Sequence, residues 1–146
     1  MHDFNKFPEL TNSQMDFYYF ESPHKQIFEN FTAKVVKVTD GDTIKVRWAE
    51  RDFDFPVRFM NIAAPELKEK GGEESKSWLE EKILGEEVDI MINPKLRVEK
   101  WGRLLGYVNF LGMDVGEESI VFGHSKPWSQ RNEGKLINLK ELETWL

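Results

Sequence analysis

The sequence predicts a mainly β protein with some α-helix, an α+β fold built around a five-stranded Greek-key barrel. Short apolar stretches alternate with turn signals along the middle of the chain, and one stretch of helical periodicity follows the third of them. No apolar run approaches the ~20 residues that cross a membrane. With 40% hydrophobic and 13% aromatic residues among 146, the chain can form a core, and a disordered protein is excluded.

The first two strands are predicted at Thr32–Val38 and Thr43–Trp48. The second alternates apolar and basic side chains, which is typical of a strand with one face in the core. Asp40, Gly41 and Asp42 lie between the two strands and predict a tight turn, in which Gly41 takes a positive φ.

A third strand is predicted at Phe53–Ile62, with aromatic and valine side chains on one face and Arg58 on the other. A helix follows at Glu73–Leu84, where apolar residues recur at helical spacing, and Gly85 ends it. The order up to this point is three strands followed by one helix.

Two more strands are predicted at Glu87–Ile92 and Arg103–Leu111, followed by a short helix at Gly116–Phe122. Asn138 and Glu141 form a capping-box pattern that predicts another short helix near the C-terminus. Five strands with a helix after strand 3 and short C-terminal helices are typical of the OB-fold barrel.

The composition excludes several kinds of site. The chain has no cysteine, so disulfides, zinc–cysteine sites and thiol nucleophiles are excluded. Three scattered histidines leave little for a histidine zinc site or a serine–histidine–aspartate triad. The net charge of −6 argues against a protein that coats nucleic acid by bulk charge, so any such contact must be local. The segment Lys95–Arg103, with four bases and one acid, is locally positive.

Three regions differ in composition: an acidic, aromatic N-terminal extension (1–31), a barrel domain (32–128) and a C-terminal tail with a short helix (129–146). The extension holds five acids, two lysines and eight aromatic side chains without a clean period. We interpret it as a segment that packs against the domain. The alternatives are an arm that stacks on bases and a homodimer contact. Acidic charge beside the aromatic rings would repel a phosphate backbone, which favours the first interpretation.

Three motifs carry side chains suited to phosphoryl chemistry: Asp40–Thr43, Arg58 to Glu66, and Trp101–Arg103. Asp42 offers oxygen to a hard cation, while Arg58 and Arg103 offer fork-shaped donors that match a phosphate. Glu66 can orient or deprotonate a water for in-line attack. Each motif alone is common in turns, strands or loops, so the prediction depends on their order and spacing together.

In this order and spacing the chain resembles the staphylococcal (micrococcal) nuclease family, the thermonucleases. The matching segments, within Thr32–Trp128, are Asp40–Thr43, Arg58, Pro65-Glu66, Gly72–Ser75 and Trp101–Arg103. The resemblance implies a calcium-dependent phosphodiesterase that acts on DNA and RNA with little sequence preference. It would cut the bond between phosphorus and the 5′ oxygen and leave 3′-phosphate ends.

The resemblance also implies roles at the site. Asp42 and the backbone carbonyl of Ala64 would bind Ca²⁺, and Glu66 would be the general base or would position the water. Arg58 and Arg103 would clamp the scissile phosphate.

Further roles implied by the resemblance lie around this centre. Asp40 and Thr43 would hold Asp42 and the metal-bound waters in place. Trp101 could stack on a base, and Trp128 lies near the position where the family carries a stacking tyrosine.

Ala63 departs from the family pattern, because the second carboxylate ligand of the metal belongs at this position. Alanine offers no side-chain oxygen, so metal affinity or activity should fall by at least ~10–100-fold. Either the lineage has abandoned or altered metal catalysis, or Ala63 is a substitution introduced to inactivate the protein. The tail 129–146 is also shorter and less basic than the closing helix of the family.

The leading prediction is therefore a calcium-dependent nuclease impaired at Ala63. A second hypothesis is a non-cleaving OB-fold module that binds single-stranded nucleic acid through a basic groove and aromatic side chains. A third is a protein-interaction domain whose aromatic N-terminus contacts a partner. The chain starts without a basic and then apolar segment, so we expect a cytoplasmic protein without membrane association.

Overall fold

The structure is a computed structural model that describes residues 2–4, 6–99 and 102–130. Its elements, in chain order, are α1 (Met15–Tyr18), a 3-10 turn (Tyr19–Glu21), β1 (Phe31–Asp40), β2 (Thr43–Arg47), β3 (Phe55–Phe59), β4 (Ile62–Ala63), α2 (Gly72–Ile83), β5 (Glu87–Met91), β6 (Leu104–Phe110), β7 (Met113–Asp114), α3 (Val115–Val121), β8 (Lys126–Pro127) and a second 3-10 turn (Trp128–Gln130). Within these described ranges, no helix has the length and apolar character needed to span a bilayer.

Five of the strands close into a barrel, which confirms the predicted α+β OB-fold. β1 pairs antiparallel with β2 and β5, β2 with β3, and β5 with β6, while β6 returns to β3 in parallel. In this register Thr43 lies beside Arg58, and Arg58 lies beside Leu105. Closure of the barrel therefore brings β2, β3 and β6 together at the place where the predicted site residues lie.

Alternate side chains of the barrel strands fill the interior. Val46, Val57 and Val108 are fully buried, and Leu79 and Ile83 of α2 belong to the same apolar cluster. Complete burial of such a side chain contributes about 1.5–3 kcal/mol. The core thus fixes α2 against the barrel wall.

The third strand is shorter than predicted. The sequence pattern extends it over Phe53–Ile62, but β3 ends at Phe59 and a separate strand, β4, begins at Ile62. Between them the carbonyl of Asn61 accepts a hydrogen bond from the backbone N–H of Trp128 at 3.0 Å. The chain leaves β2 at this point because β4 pairs with β8, a segment far along the sequence.

The expected positive φ at Gly41 is wrong, since Gly41 is not among the positive-φ glycines of the described residues. A Cβ at Gly41 would lie 2.0 Å from Ser75 Oγ and 2.7 Å from the Cβ of Ala64. The turn therefore requires glycine because α2 and the segment after β4 approach its backbone closely.

The predicted packing of the N-terminal extension against the barrel holds for part of its described residues, since Phe17 and Phe20 are 78% and 97% exposed. Leu10 is fully buried, and Ile27 belongs to the core cluster. The homodimer contact stays a prediction. The short helix predicted around Asn138 lies outside the described residues.

Candidate active site

Seven of the predicted site residues line one cleft of about 400 Å³. They are Asp40, Asp42, Arg58, Ala63, Ala64, Glu66 and Arg103. Thr43 lies behind the cleft wall, where its hydroxyl bonds to Asp42. Among the described residues, the barrel thus brings together the three sequence motifs that are well separated along the chain.

Asp42 is the central carboxylate of the cleft and is 7% exposed. Its Oδ2 accepts the backbone N–H of Ala64 at 2.8 Å, and its Oδ1 accepts the Thr43 hydroxyl at 3.2 Å. Asp40 Oδ1 accepts the backbone N–H of Asp42 at 3.0 Å, which fixes the turn between β1 and β2. Asp40 and Thr43 therefore hold Asp42 from both sides.

The environment of Asp42 disfavours its charged form. Burial raises the pKa of the Asp42 carboxyl to about 7, and the neighbouring Asp40 raises it as well. The guanidinium of Arg58, 3.3 Å from Asp42 Oδ2, lowers this pKa but does not compensate for burial. Without a further cation, the surroundings of Asp42 therefore favour its protonated form.

Arg58 forms the floor of the cleft and is 1% exposed. Its Nη1 donates to the carbonyls of Phe59 and Ile62 at 2.7 and 2.9 Å. The ring of Trp128 lies over its guanidinium at 4.7 Å from the ring centroid. The break after β3 explains the burial, because it turns the Ile62 carbonyl towards the guanidinium.

Arg103 stands at the wall of the cleft just before β6. Its guanidinium donates to both carboxylate oxygens of Glu99 and, more weakly, to Thr43 Oγ1 at 3.4 Å. Burial lowers the pKa of Arg103, but the bond to Glu99 raises it above its ordinary value, so the side chain stays charged. A guanidinium has more N–H donors than these contacts use, so Arg103 can also donate to a phosphate.

Glu66 lies on the exposed rim of the cleft, in the loop between β4 and α2. Its backbone N–H donates to the Glu69 carboxylate at 2.9 Å, and its carbonyl accepts the N–H of Glu69 at 2.9 Å. These two bonds leave the Glu66 carboxylate on the solvent side, where it can reach a water molecule.

Comparison with known families decides the class of protein to which this cleft belongs. A family model described as staphylococcal nuclease homologue matches residues 56–144. The chain belongs to this nuclease family. The match begins within β3, so the N-terminal extension and the first two strands lie before it.

Relatives of the chain carry endonuclease names. An "Uncharacterized endonuclease" of Escherichia coli is 29% identical over 111 residues, which are 75% of this chain and 69% of the relative. A protein of the same name in Escherichia coli O157:H7 gives the same values. "Endonuclease Htp3" of Saprolegnia parasitica (strain CBS 223.65) is 31% identical over 129 residues, or 73% of this chain, which spans 61% of that relative. Together with the family, these relatives indicate a nuclease that hydrolyses nucleic acid.

The donors of the cleft do not fit the calcium ion that the staphylococcal nuclease family implies. Calcium takes six to eight oxygen ligands. Within residues 2–4, 6–99 and 102–130, no group of three or more Asp, Glu, His or Cys side chains is placed to hold a metal. Ala63 offers no oxygen, and Asp42 Oδ2 already contacts Arg58 and the N–H of Ala64.

Five further residues that the sequence motifs did not indicate line the cleft: Glu69, Lys70, His124, Ser125 and Lys126. Glu69 and Lys70 lie three and four residues after Glu66 in the same loop, so their charge and their nearness to the Pro-Glu motif were a local signal. No local sequence pattern indicated that Lys126 lines the cleft, because it is the pairing of β4 with β8 that brings it there.

Two other expectations are limited by what the structure describes. Trp101, predicted to stack on a base, lies outside the described residues. The positive segment Lys95–Arg103 is described only in part, and within that part Arg97 is 1% exposed and Arg103 is paired with Glu99.

Proposed function

We propose that the protein is a phosphodiesterase that hydrolyses DNA or RNA in this cleft, with little sequence preference and with 3′-phosphate products. One observation supports this proposal most. The chain belongs to the staphylococcal nuclease homologue family, and its cleft brings together Arg58, Arg103 and Glu66. Ala63 impairs the activity, because this position lacks the carboxylate that a calcium site needs. Calcium dependence is therefore expected of an Ala63→Asp variant.

The chain's own residues can bind the phosphate, orient a water and move a proton. Negative charge builds on the phosphoryl oxygens in the transition state, where donors from Arg103 at the wall and Arg58 at the floor stabilise it. Glu66 accepts a proton from the water whose oxygen attacks phosphorus. The bond from phosphorus to the 5′ oxygen breaks, and that oxygen takes up a proton from solvent water while the phosphate stays on the 3′ side.

The alternative is a module that binds single-stranded nucleic acid or a protein partner without cleaving it. Ala63 is the observation that favours this alternative, because a site without its second carboxylate loses both a ligand and a charge. Binding without cleavage would weaken steeply as salt is added.

The test is the release of acid-soluble nucleotides from single-stranded DNA and RNA, in calcium and in a chelator. We expect Ala63→Asp to cleave at least ~10–100-fold faster than the parent in calcium and to stop in chelator. Ala63→Asn is the matched control, because it adds an oxygen of similar placement without the charge. It should recover less activity than Ala63→Asp.

A second comparison tests the general base. In the Ala63→Asp background, Glu66→Gln should lower the rate by ~10²–10⁴-fold while binding of single-stranded DNA persists. If Ala63→Asp binds the DNA but cleaves nothing in calcium, the nuclease proposal is wrong and the binding module takes its place.

A further inference from the structure

The segment that carries Arg103 is a tight hairpin, and the N-terminal extension contacts it directly. We refer to residues 97–99 and 102–105 as the Arg103 hairpin. Glu99 donates its N–H to the carbonyl of Arg103 at 3.0 Å, and Leu105 donates to the carbonyl of Arg97 at 2.8 Å. Arg97 and Arg103 are therefore fixed relative to each other by backbone bonds.

The side chain of Arg97 anchors one arm of this hairpin in the extension. It is 1% exposed, and its guanidinium donates to the carbonyls of Ile27 and Leu10 at 2.6 and 2.9 Å. Its Nη2 donates to Glu9 Oε2 at 2.8 Å, and its guanidinium carbon lies 3.9 Å from the centroid of the Phe28 ring. All four of these partners belong to the extension.

Glu9 is the charged partner in this anchor and is itself 1% exposed. Its carboxylate also accepts a bond from Arg51, in the loop after β2, and the backbone N–H of Ile27 at 3.0 Å. A buried charge without its partner is strongly disfavoured, so loss of the Glu9 carboxylate would leave the guanidinium groups of Arg51 and Arg97 uncompensated at a large cost in stability. Glu9 thus ties the extension, the barrel and the Arg103 hairpin together.

The tip of the hairpin has a second contact with the extension. The ring of Phe7 lies so close to Gly102 that a Cβ at this glycine would be 2.7 Å from Phe7 Cδ1. Gly102 is the residue before Arg103, and its N–H donates to the carbonyl of Glu99 at 2.9 Å. The Phe7 ring therefore supports the backbone of the hairpin at the residue next to Arg103.

We propose that the N-terminal extension, through Phe7 and Glu9, is a positioning element that holds Arg103 at the wall of the cleft. The inference rests on the proposed function, because it assigns Arg103 to the phosphate. The extension lies outside the segment that matches the nuclease family. The extension supports Arg103 through Phe7 at Gly102 and through Glu9 at Arg97.

The structural half of the proposal is tested by amide hydrogen exchange on the full chain without substrate. Phe7→Ala and Glu9→Gln should speed exchange at the N–H groups of Gly102 and Leu105 by about tenfold or more. Phe20→Ala is the matched control, since Phe20 belongs to the extension but is 97% exposed. It should leave both rates unchanged. Phe7→Ala keeps the test valid if Glu9→Gln does not fold.

The functional half is tested by a double-mutant cycle in the Ala63→Asp background, with single-stranded DNA as the substrate. Phe7→Ala should lower kcat by about tenfold or more with little change in KM, because small displacements of a catalytic group cost up to ~10²-fold. In an Arg103→Ala background, Phe7→Ala should have no further effect on kcat. A purely structural role would lower the rate equally in both backgrounds.

The outcomes separate this proposal from the nuclease proposal. Unchanged exchange at Gly102 and Leu105 in both extension variants would overturn the positioning role, whatever the activity. Equal losses of kcat with and without Arg103 would overturn it as well. If Ala63→Asp cleaves nothing, the proposed function fails. Exchange at the two N–H groups then still decides whether the extension holds the hairpin.

Discussion

Ala63 lies opposite Lys126 in the register of β4 and β8, and both residues line the cleft. Side chains directly opposite in antiparallel strands have Cβ atoms about 4.5–5.5 Å apart. The position that lacks a carboxylate is therefore next to a lysine. This wall of the cleft carries positive charge at a place where a calcium site requires negative charge and oxygen ligands.

We expect Ala63→Asp to bind calcium at least ~10–100-fold more tightly than the parent chain, because it restores an oxygen ligand and a charge. The ammonium of Lys126 competes for the new carboxylate, so adding Lys126→Met should tighten binding further. Titration calorimetry with a thymidine bisphosphate present measures both effects, with Ala63→Asn as the uncharged control. Equal calcium affinity in the parent and Ala63→Asp would mean that the metal uses other ligands.

Gly41→Ala should destabilise the fold even though Gly41 has no unusual backbone conformation. The new Cβ would overlap Ser75 Oγ at 2.0 Å and approach the Cβ of Ala64 at 2.7 Å. Overpacking of this kind costs about 1–3 kcal/mol in the free energy of unfolding. Urea denaturation measures the loss. A Ser75→Gly change should recover part of it when combined with Gly41→Ala, but should not stabilise the parent chain when made alone. Full stability of Gly41→Ala would show that the turn and α2 are not in close contact.

The barrel strands and α2 could be predicted from the sequence because their signals are local. Alternating apolar side chains and helical spacing placed β1, β2 and α2 within a few residues of their observed bounds. The end of β3 could not be predicted in this way. It depends on the pairing of β4 with β8 and on the bond between Asn61 and Trp128, which join distant parts of the chain.

The candidate site shows the same division between local and long-range signals. The motifs predicted that Asp42, Arg58 and Arg103 would meet, and the structure places all three at one cleft. The burial of Arg58 could not be predicted, because Asp42 and Trp128, which contact its guanidinium, are distant from it along the chain. The role of Glu9 was equally hidden, since nothing in an acidic and aromatic segment indicates that Arg51 and Arg97 converge on one carboxylate.

Asp42 should make stability depend on pH in the absence of metal. Burial raises its pKa from 3.8 to about 7, so the folded state binds a proton more tightly than the unfolded state does. The free energy of unfolding should therefore fall as the pH rises from about 4 to 7, by on the order of 2–4 kcal/mol from this group. Urea denaturation in a chelator measures this loss against Asp42→Asn, which lacks the titrating group.

The raised pKa of Asp42 fixes the direction in which stability changes with pH. Relative to Asp42→Asn, the parent should lose stability towards neutral pH and regain it towards acid. A difference between the two proteins that stays constant over this range would mean that Asp42 is ionised throughout, as an ordinary carboxylate is. If the stability of the parent relative to Asp42→Asn instead increases as the pH rises, the effect of Arg58 on the pKa of Asp42 outweighs the effect of burial.

Glu9→Gln should cost about 3–5 kcal/mol in the free energy of unfolding, because it leaves the buried guanidinium groups of Arg51 and Arg97 without their carboxylate. Glu29→Gln is the matched control, since it removes the same charge from an exposed position of the extension and should leave stability unchanged. Urea denaturation of the three proteins at one pH gives the comparison. Apolar residues in place of all three charged groups should recover much of the loss, because neither arginine then remains buried and unpaired. A Glu9→Gln variant as stable as Glu29→Gln would show that these charges reach water in solution.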